Sequence, residues 1–309
     1  MDMDGISHLP DYLLHEILAL LDTRQVVQTC VLSKRWKSLW THIPTLNFDY
    51  SSFPFQRLPI KDLFNNFTLS SKACSFERFI SGVLEQHRSE CIKKLSYSYP
   101  IDAEKDFVTA FLSYGQCHNV QQLHITTYEA YESLWSCLST FKLLTILKIT
   151  CRPVSDLRTL VLPCLRILEI KRQLNYWDNP YYLDDEYLCY NDVKLNENTF
   201  SGYPNLESLV LFDCVLENAG IVIYAPKLEN LELDASFFGL TFLKLEFYAP
   251  NLKTVELRNI IPSVNYKSSY NSDFVYIDKV SSAVPCYDDL GREHPLQQMM
   301  KEGDSVSVL

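Results

Sequence analysis

Between residues 92 and 257 one arrangement keeps returning: an apolar residue, two others, an apolar residue, one other, an apolar residue. It reads Ile92-Leu95-Tyr97, Val120-Leu123-Ile125, Leu144-Leu147-Ile149 and Leu165-Leu168-Ile170, then Leu206-Leu209-Leu211, Leu228-Leu231-Leu233 and Leu252-Val255-Leu257. Apolar residues two apart share one face of a strand, so each unit predicts a short strand with one buried side. The starts are 28, 24, 21, 41, 22 and 24 residues apart. A unit of that size can bury its apolar face only against a neighbouring copy. A second pattern runs in phase, with a proline two residues before the first leucine at Pro163, Pro204, Pro226 and Pro250. IYAPKLENLEL (223–233) returns almost unchanged as FYAPNLKTVEL (247–257). Proline ends the incoming segment and fixes the corner, so each strand starts in the same place. Two periodicities in register predict a solenoid.

Helical spacing appears between the early strands. FERFISGVLEQH (76–87) places Phe76, Phe79, Ile80, Val83 and Leu84 on one face, and KDFVTAFLSY (105–114) is similar. Later links are too short and proline-rich for long helices. Three shorter helices are expected before residue 45. The first opens at LPDYLLHEILALLD (9–22), where Pro10 suits a first-turn position and Asp11 the positive end of the dipole. Its apolar residues Leu13, Leu14, Ile17, Leu18, Leu20 and Leu21 cover more than one stripe, so it has two faces to bury. In the second, Asp22 or Thr23 caps and Val26, Val27, Cys30 and Val31 are apolar. Ser33 caps the third, in which Leu32, Trp36, Leu39 and Trp40 lie along one side; Pro44 closes the unit. So small a unit cannot shield that many apolar side chains alone. They meet the rest of the chain, as a packed N-terminal cap, or another protein.

Composition narrows the partner. The 309 residues carry a net charge of −10, which repels phosphate backbones. The densest basic cluster, Lys34, Arg35 and Lys37, is small, so nucleic acid is disfavoured. The opening MDMDGISHLP is no secretory leader, and no apolar run reaches the length of a membrane span. The ten cysteines include no C-x-x-C pair. Cys30, Cys91, Cys137, Cys151 and Cys214 lie in apolar segments and read as buried reduced thiols, which points to cytoplasm or nucleus. The sequon at Asn66 is accordingly read as idle. Seven scattered histidines form no nucleophile elbow, and eight glycines leave little for a phosphate loop. His118 and His124 read as structural or solvent-facing. No catalytic residue, metal or cofactor is expected.

The stretch 6–49 closely resembles a plant-type F-box, in the Leu9-Pro10-Asp11 start, the Ile17-Leu18 pair, VLSKRWKSLW (31–40) and the Pro44…Leu46-x-Phe48-Asp49 exit. The downstream order, including SLWSC (133–137) and SGYPNLESLVLFDC (201–214), is similar to plant F-box/leucine-rich-repeat proteins. The resemblance implies an α/β fold: a small three-helix F-box followed by an irregular leucine-rich-repeat solenoid without an asparagine ladder. The expected division is an F-box at 6–46, a connecting segment with a helix at 47–90, the solenoid at 91–260 and a tail at 261–309. Many relatives carry a further C-terminal domain of FBD type, which the tail does not resemble. F-boxes bind a Skp-type adaptor, which links them to a cullin–RING ubiquitin ligase. The resemblance therefore implies a non-catalytic substrate receptor, with an interaction scaffold or inhibitor outside the ubiquitin pathway as the alternative. The expected adaptor-binding residues are Leu9, Pro10, Leu13, Leu14, Ile17, Leu18, Val31, Leu32, Trp36, Leu39 and Trp40, with the cations a solvated rim. A protein substrate is expected on the repeats. There NYWDNPYYLDDEYLCYND (175–192) holds five tyrosines and five acids without a Lys or Arg. Tyr181, Tyr182, Asp184, Asp185 and Tyr187 are its candidate contacts. The competing reading of that stretch is an extra repeat whose tyrosines pack inside.

Overall fold

The computed structural model describes residues 6, 8–53, 66–99, 105–129, 132–152, 157, 160–172, 199–212, 221–234, 241–243, 245–258, 260–262, 275–280 and 307–308. The chain forms two compact units, residues 1–144 and 145–309.

The first unit opens with three short helices, α1 (Asp11–Leu18), α2 (Thr23–Gln28) and α3 (Lys34–Leu39). Asp22 caps α2 in a reciprocal box: its carboxylate accepts the Gln25 N–H at 2.8 Å and the Gln25 side chain accepts the Asp22 N–H at 3.3 Å. Ser33 caps α3 by accepting the Trp36 N–H. Strands β1 (Thr45–Asp49), β2 (Lys94–Tyr99) and β3 (Gln122–Glu129) then pair in parallel. The intervening chain carries α4 (Asn66–Gln86) and α5 (Lys105–Cys117), with α6 (Glu132–Leu138) after β3. Asn119, in the left-handed region at φ 52°, ends α5 and turns the chain toward β3.

Register makes the apolar pattern into a core. Leu46, Leu95 and Leu123 stand abreast, as do Phe48, Tyr97 and Ile125, and all six are buried. The first strand therefore carries the same arrangement, Ile43-Leu46-Phe48, which the F-box exit had masked in the sequence. Phe76, Ile80 and Val83 of α4 are buried as expected, whereas Phe79 and Leu84 remain half-exposed. Aromatic edges and faces fill the space beneath β1 and β2, with Phe48 against Phe111 at 6.1 Å, Tyr50 against Tyr99 at 4.9 Å and Tyr97 against Phe111 at 5.2 Å.

The second unit consists of β4 (Ile146–Arg152), β5 (Ile167–Arg172), β6 (Ser208–Phe212), β7 (Ile221–Tyr224), β8 (Asn230–Asp234), β9 (Thr241–Leu243), β10 (Leu245–Tyr248), β11 (Thr254–Arg258), β12 (Ile260–Pro262), β13 (Val275–Val280) and β14 (Ser307–Val308). Strands β4, β5, β6, β8, β11 and β13 are parallel neighbours in that order, and β14 joins antiparallel. Leu147, Leu168, Leu209, Leu231 and Val255 form one buried row, and Ile149, Ile170, Leu211, Leu233 and Leu257 the next. Two smaller parallel pairs, β7 with β10 and β9 with β12, lie between successive main strands in sequence. Among the described residues this unit has no α-helix; 3-10 geometry occurs at Thr199–Gly202 and at Leu157.

The proline corners are alike at each turn of the chain. The N–H groups of Leu165, Leu206, Leu228 and Leu252 each donate to the carbonyl three residues back, at 3.0 Å in every case. Pro163, Pro204, Pro226 and Pro250 occupy the second turn position, where a fixed φ favours the bend. Side-chain amides tie corner to corner: Asn205 donates to the Pro163 carbonyl at 2.7 Å and Asn251 to that of Pro226 at 2.8 Å. Asparagine thus stands at the corners, rather than after the strands where a ladder would place it. The thiols differ from expectation. Of the five read as buried, Cys151 is buried, Cys30 and Cys137 are half-exposed, Cys91 is exposed, and Cys214 lies outside the described residues. No helix among the described residues is long and apolar enough to cross a membrane.

Candidate functional site

The N-terminal helices separate the expected contact residues into two sets. On α1, Leu14 and Leu18 are one turn apart and point into the unit, where both are fully buried. Trp36, Leu39 and Trp40 are buried from the side of α3. These five are core, and they support a surface without forming it. Leu13 and Ile17, also one turn apart, face outward at 37% and 43% exposure. The turn between α2 and α3 leaves Val31 and Leu32 at 83% and 64% exposure. Leu32 was expected to lie along one side of α3 with Trp36, Leu39 and Trp40. It precedes the Ser33 cap, so helical periodicity does not reach it and its side chain turns out. Leu9 is half-exposed and Pro10 exposed. The sequence reading omitted Ile6, Tyr12, Leu20 and Leu21 from the set, yet all four are exposed. The signal for them was present: α1 has more apolar positions than one buried stripe can hold.

Backbone geometry fixes the start of α1. Pro10 occupies the N-cap at ψ 153° without a side-chain cap, and its carbonyl accepts the N–H groups of Leu13 at 3.1 Å and Leu14 at 3.3 Å. Arg35 supplies the missing anchor. Its guanidinium is paired with Asp11, with Nε donating to Oδ1 at 2.9 Å, and it also donates to the Leu9 carbonyl. Arg35 was read as part of a solvated rim. It is instead half-buried and ties α3 to the first turn of α1, while Lys34 and Lys37 do face solvent. A planar fork with several donors can reach a carboxylate and a carbonyl together, which an ammonium on a flexible stem does less well.

The same small unit is fastened to the sheet. Thr23 at the start of α2 is buried, and its hydroxyl accepts the Asn47 N–H of β1 at 2.7 Å. Arg24 donates to the Ser52 carbonyl at 3.2 Å and its guanidinium lies 5.7 Å from the centre of the Phe53 ring. An edge strand's free donor is thus satisfied by α2. His87, after α4, holds the exit of the third helix: Nε2 donates to the Ile43 carbonyl at 2.9 Å, so Nδ1 accepts from the Tyr114 hydroxyl at 2.7 Å. His118 stacks on Tyr114 at 4.0 Å. Burial lowers the His87 imidazole below its ordinary value, the Ile43 bond opposes this, and His118 and His42 lower it further. Burial also pushes the Tyr114 hydroxyl up to about 12. These groups are structural: both His87 nitrogens and the Tyr114 hydroxyl are hydrogen-bonded, and His118 Nδ1 lies 2.8 Å from the Tyr114 carbonyl oxygen. Among the described residues no cluster of His, Cys, Asp and Glu is placed to hold a metal ion. The candidate substrate contacts Tyr181, Tyr182, Asp184, Asp185 and Tyr187 lie outside the described residues.

Residues 6–47 match the F-box domain family. Over longer spans the chain is similar to plant proteins from Arabidopsis thaliana. It is 30% identical over 244 residues to an F-box/FBD/LRR-repeat protein, covering 75% of this chain and 49% of the relative. It is 28% identical over 244 residues to an F-box/LRR-repeat protein, covering 76% and 59%. A putative F-box/LRR-repeat protein is 28% identical over 308 residues, covering 94% and 64%. The chain thus spans about half to under two thirds of the length of these curated relatives.

Proposed function

We propose, from an N-terminal F-box domain and similarity to plant F-box/LRR-repeat proteins over most of the chain, that this protein is a substrate receptor of a Skp–cullin–F-box ubiquitin ligase. The observation that carries the reading is the outward apolar set on a folded helical unit: Leu13, Ile17, Leu20, Val31 and Leu32 stay uncovered while Leu14, Leu18 and Trp36 complete the core. Uncovered side chains of that kind on so small a unit fit a protein partner, here a Skp-type adaptor. Leu9 and Pro10 would set the angle of α1 against it. In this reading residues 6–46 are the F-box, 47–90 connect, 91–260 form an irregular leucine-rich-repeat solenoid and 261–309 are the tail. The in-register rows of buried leucines and the repeated proline corners support the solenoid.

The receptor performs no chemistry itself. It holds a substrate lysine near the charged conjugating enzyme, and that proximity raises the effective concentration for transfer. The bond from the Asn47 N–H to the Thr23 hydroxyl supports this role within the first unit, because it ties the helices to the first strand of the sheet. The place of action is the cytoplasm or nucleus, where the adaptor and the cullin–RING assembly reside. Reconstitution tests the reading. Purified full chain should form a stoichiometric complex with a Skp-type adaptor, and with the cullin–RING partners should support ubiquitin transfer. Failure to bind any adaptor of the source plant, with the helices folded by circular dichroism, rejects it in favour of a scaffold outside the pathway.

A further inference from the structure

The second unit presents a sheet face whose side chains are sorted by charge. Parallel register sets the positions opposite the buried leucines in rows. One row runs Lys148, Glu169, Val210, Glu232, Glu256 across β4, β5, β6, β8 and β11; the next runs Thr150, Lys171, Phe212, Asp234, Arg258. On β4 and β5 two cations share one carboxylate, with Glu169 at 2.5 Å from Lys148 and 2.7 Å from Lys171. On β8 and β11 one guanidinium meets three carboxylates: Arg258 lies 2.8 Å from Glu256, 3.2 Å from Glu232 and 3.9 Å from Asp234. Between the two groups, β6 contributes half-exposed Val210 and Phe212, and Lys171 lies 5.7 Å from the Phe212 ring centre. Asp234 is buried and takes no part in the accessible face. Of the accessible groups, Lys148 and Lys171 outnumber Glu169 on one side, Glu232 and Glu256 outnumber Arg258 on the other, and an apolar strip divides them.

We infer that this face binds an extended polypeptide segment lying across the strands, acidic over β4 and β5, apolar over Val210 and Phe212, and basic over β8 and β11. Charge complementarity selects the partner and its direction, while water is excluded at the apolar centre, where binding energy concentrates. A uniformly acidic or basic segment meets repulsion at one end, so the arrangement discriminates as well as attracts. Size bounds the segment. Four strand spacings cover roughly 19 Å, which an extended chain crosses in about six residues. The inference takes from the proposed function only that the ligand is a protein, and it names the class of sequence that such a substrate offers.

Selection from a random peptide library of about twelve residues on immobilised full chain tests this directly. The wild type should enrich peptides with acidic and basic ends flanking an apolar residue. The variant Glu232→Lys with Glu256→Lys makes both ends positive, so it should enrich peptides acidic throughout. The variant Lys148→Ala with Lys171→Ala should lose the acidic end from its selected pattern while keeping the basic one. Phe212→Ala should weaken a selected wild-type peptide about tenfold by fluorescence anisotropy. Identical charge patterns on wild type and both charge variants, or no pattern on any, overturn the inference. Adaptor capture measured on the same preparations keeps the two readings separate. Capture without charge selection rejects only the sheet site, and charge selection without capture rejects only the ligase role.

Discussion

Two leucines on one small helical unit should respond to the same truncation in opposite ways. Leu18 is 1% exposed and Leu32 64% exposed. Leu18→Ala removes a buried side chain and leaves a cavity, at a cost of about 2–5 kcal/mol, a large share of a domain's stability. Leu32→Ala removes a side chain already in water, so unfolding free energy should change by about 0.5 kcal/mol or less. Binding reverses the order. Full burial of a leucine contributes about 1.5–3 kcal/mol, and roughly two thirds of that remains to be gained when a partner covers Leu32. Truncation there should weaken adaptor binding by about 1–2 kcal/mol, roughly five- to thirty-fold in Kd. Urea denaturation followed by tryptophan fluorescence reads the first quantity, because Trp36 and Trp40 are buried in the same unit. Titration calorimetry against a Skp-type adaptor reads the second. The assignment of Leu32 to a docking surface is refuted by an unchanged Kd in the folded variant, or by a loss of stability equal to that of Leu18→Ala.

Thr23→Val keeps the shape of a buried side chain but leaves the Asn47 N–H without its acceptor. It should cost about 1–3 kcal/mol in urea titration and speed amide exchange at Asn47. In the second unit, a Cβ at Gly202 would lie 2.4 Å from the Leu160 carbonyl oxygen, a backbone atom that cannot swing away. Gly202→Ala should therefore destabilise by about 1–3 kcal/mol, seen as a lower melting temperature. His87 makes stability depend on pH. Its folded pKa lies below the ordinary value of 6.5, so the unfolded chain takes up the proton first. That contribution is complete above the unfolded value and is lost as pH falls through it toward the folded one. The urea midpoint should drop between pH 7.5 and 5 in the wild type, and less in His87→Gln. An equal drop in both assigns the dependence to other groups.

The strands and their corners were legible because their cause is local. Alternation fixes which residues share a face, so Leu209 and Leu211 point the same way on β6, while Leu206 is held in the proline corner before it. The cap at Ser33 was legible for the same reason, and that of α2 to within one residue, Asp22 or Thr23, since a cap needs only the next three residues. The Ile43-Leu46-Phe48 strand escaped notice because its successor begins 49 residues later, well outside the repeat period.

The sequence by itself determined which residues lie together on each element, because side-chain direction follows from backbone period alone. That covers the paired stripes of α1 and the leucine rows of the sheet. Tertiary structure decided which stripe faces in. Leu14 and Leu18 are covered while Leu13 and Ile17 are not, and nothing in the composition of the two pairs separates them. It likewise decided that Arg35 reaches back to Asp11, 24 residues earlier, while Lys34 and Lys37 stay in solvent. The sorting of charge across β4 to β11 is also tertiary. Lys148 and Glu256 are 108 residues apart in sequence, and only the shared register sets them in one row. Periodicity is a property of one element, whereas burial and pairing belong to the space between elements, and that space exists only after the chain has packed.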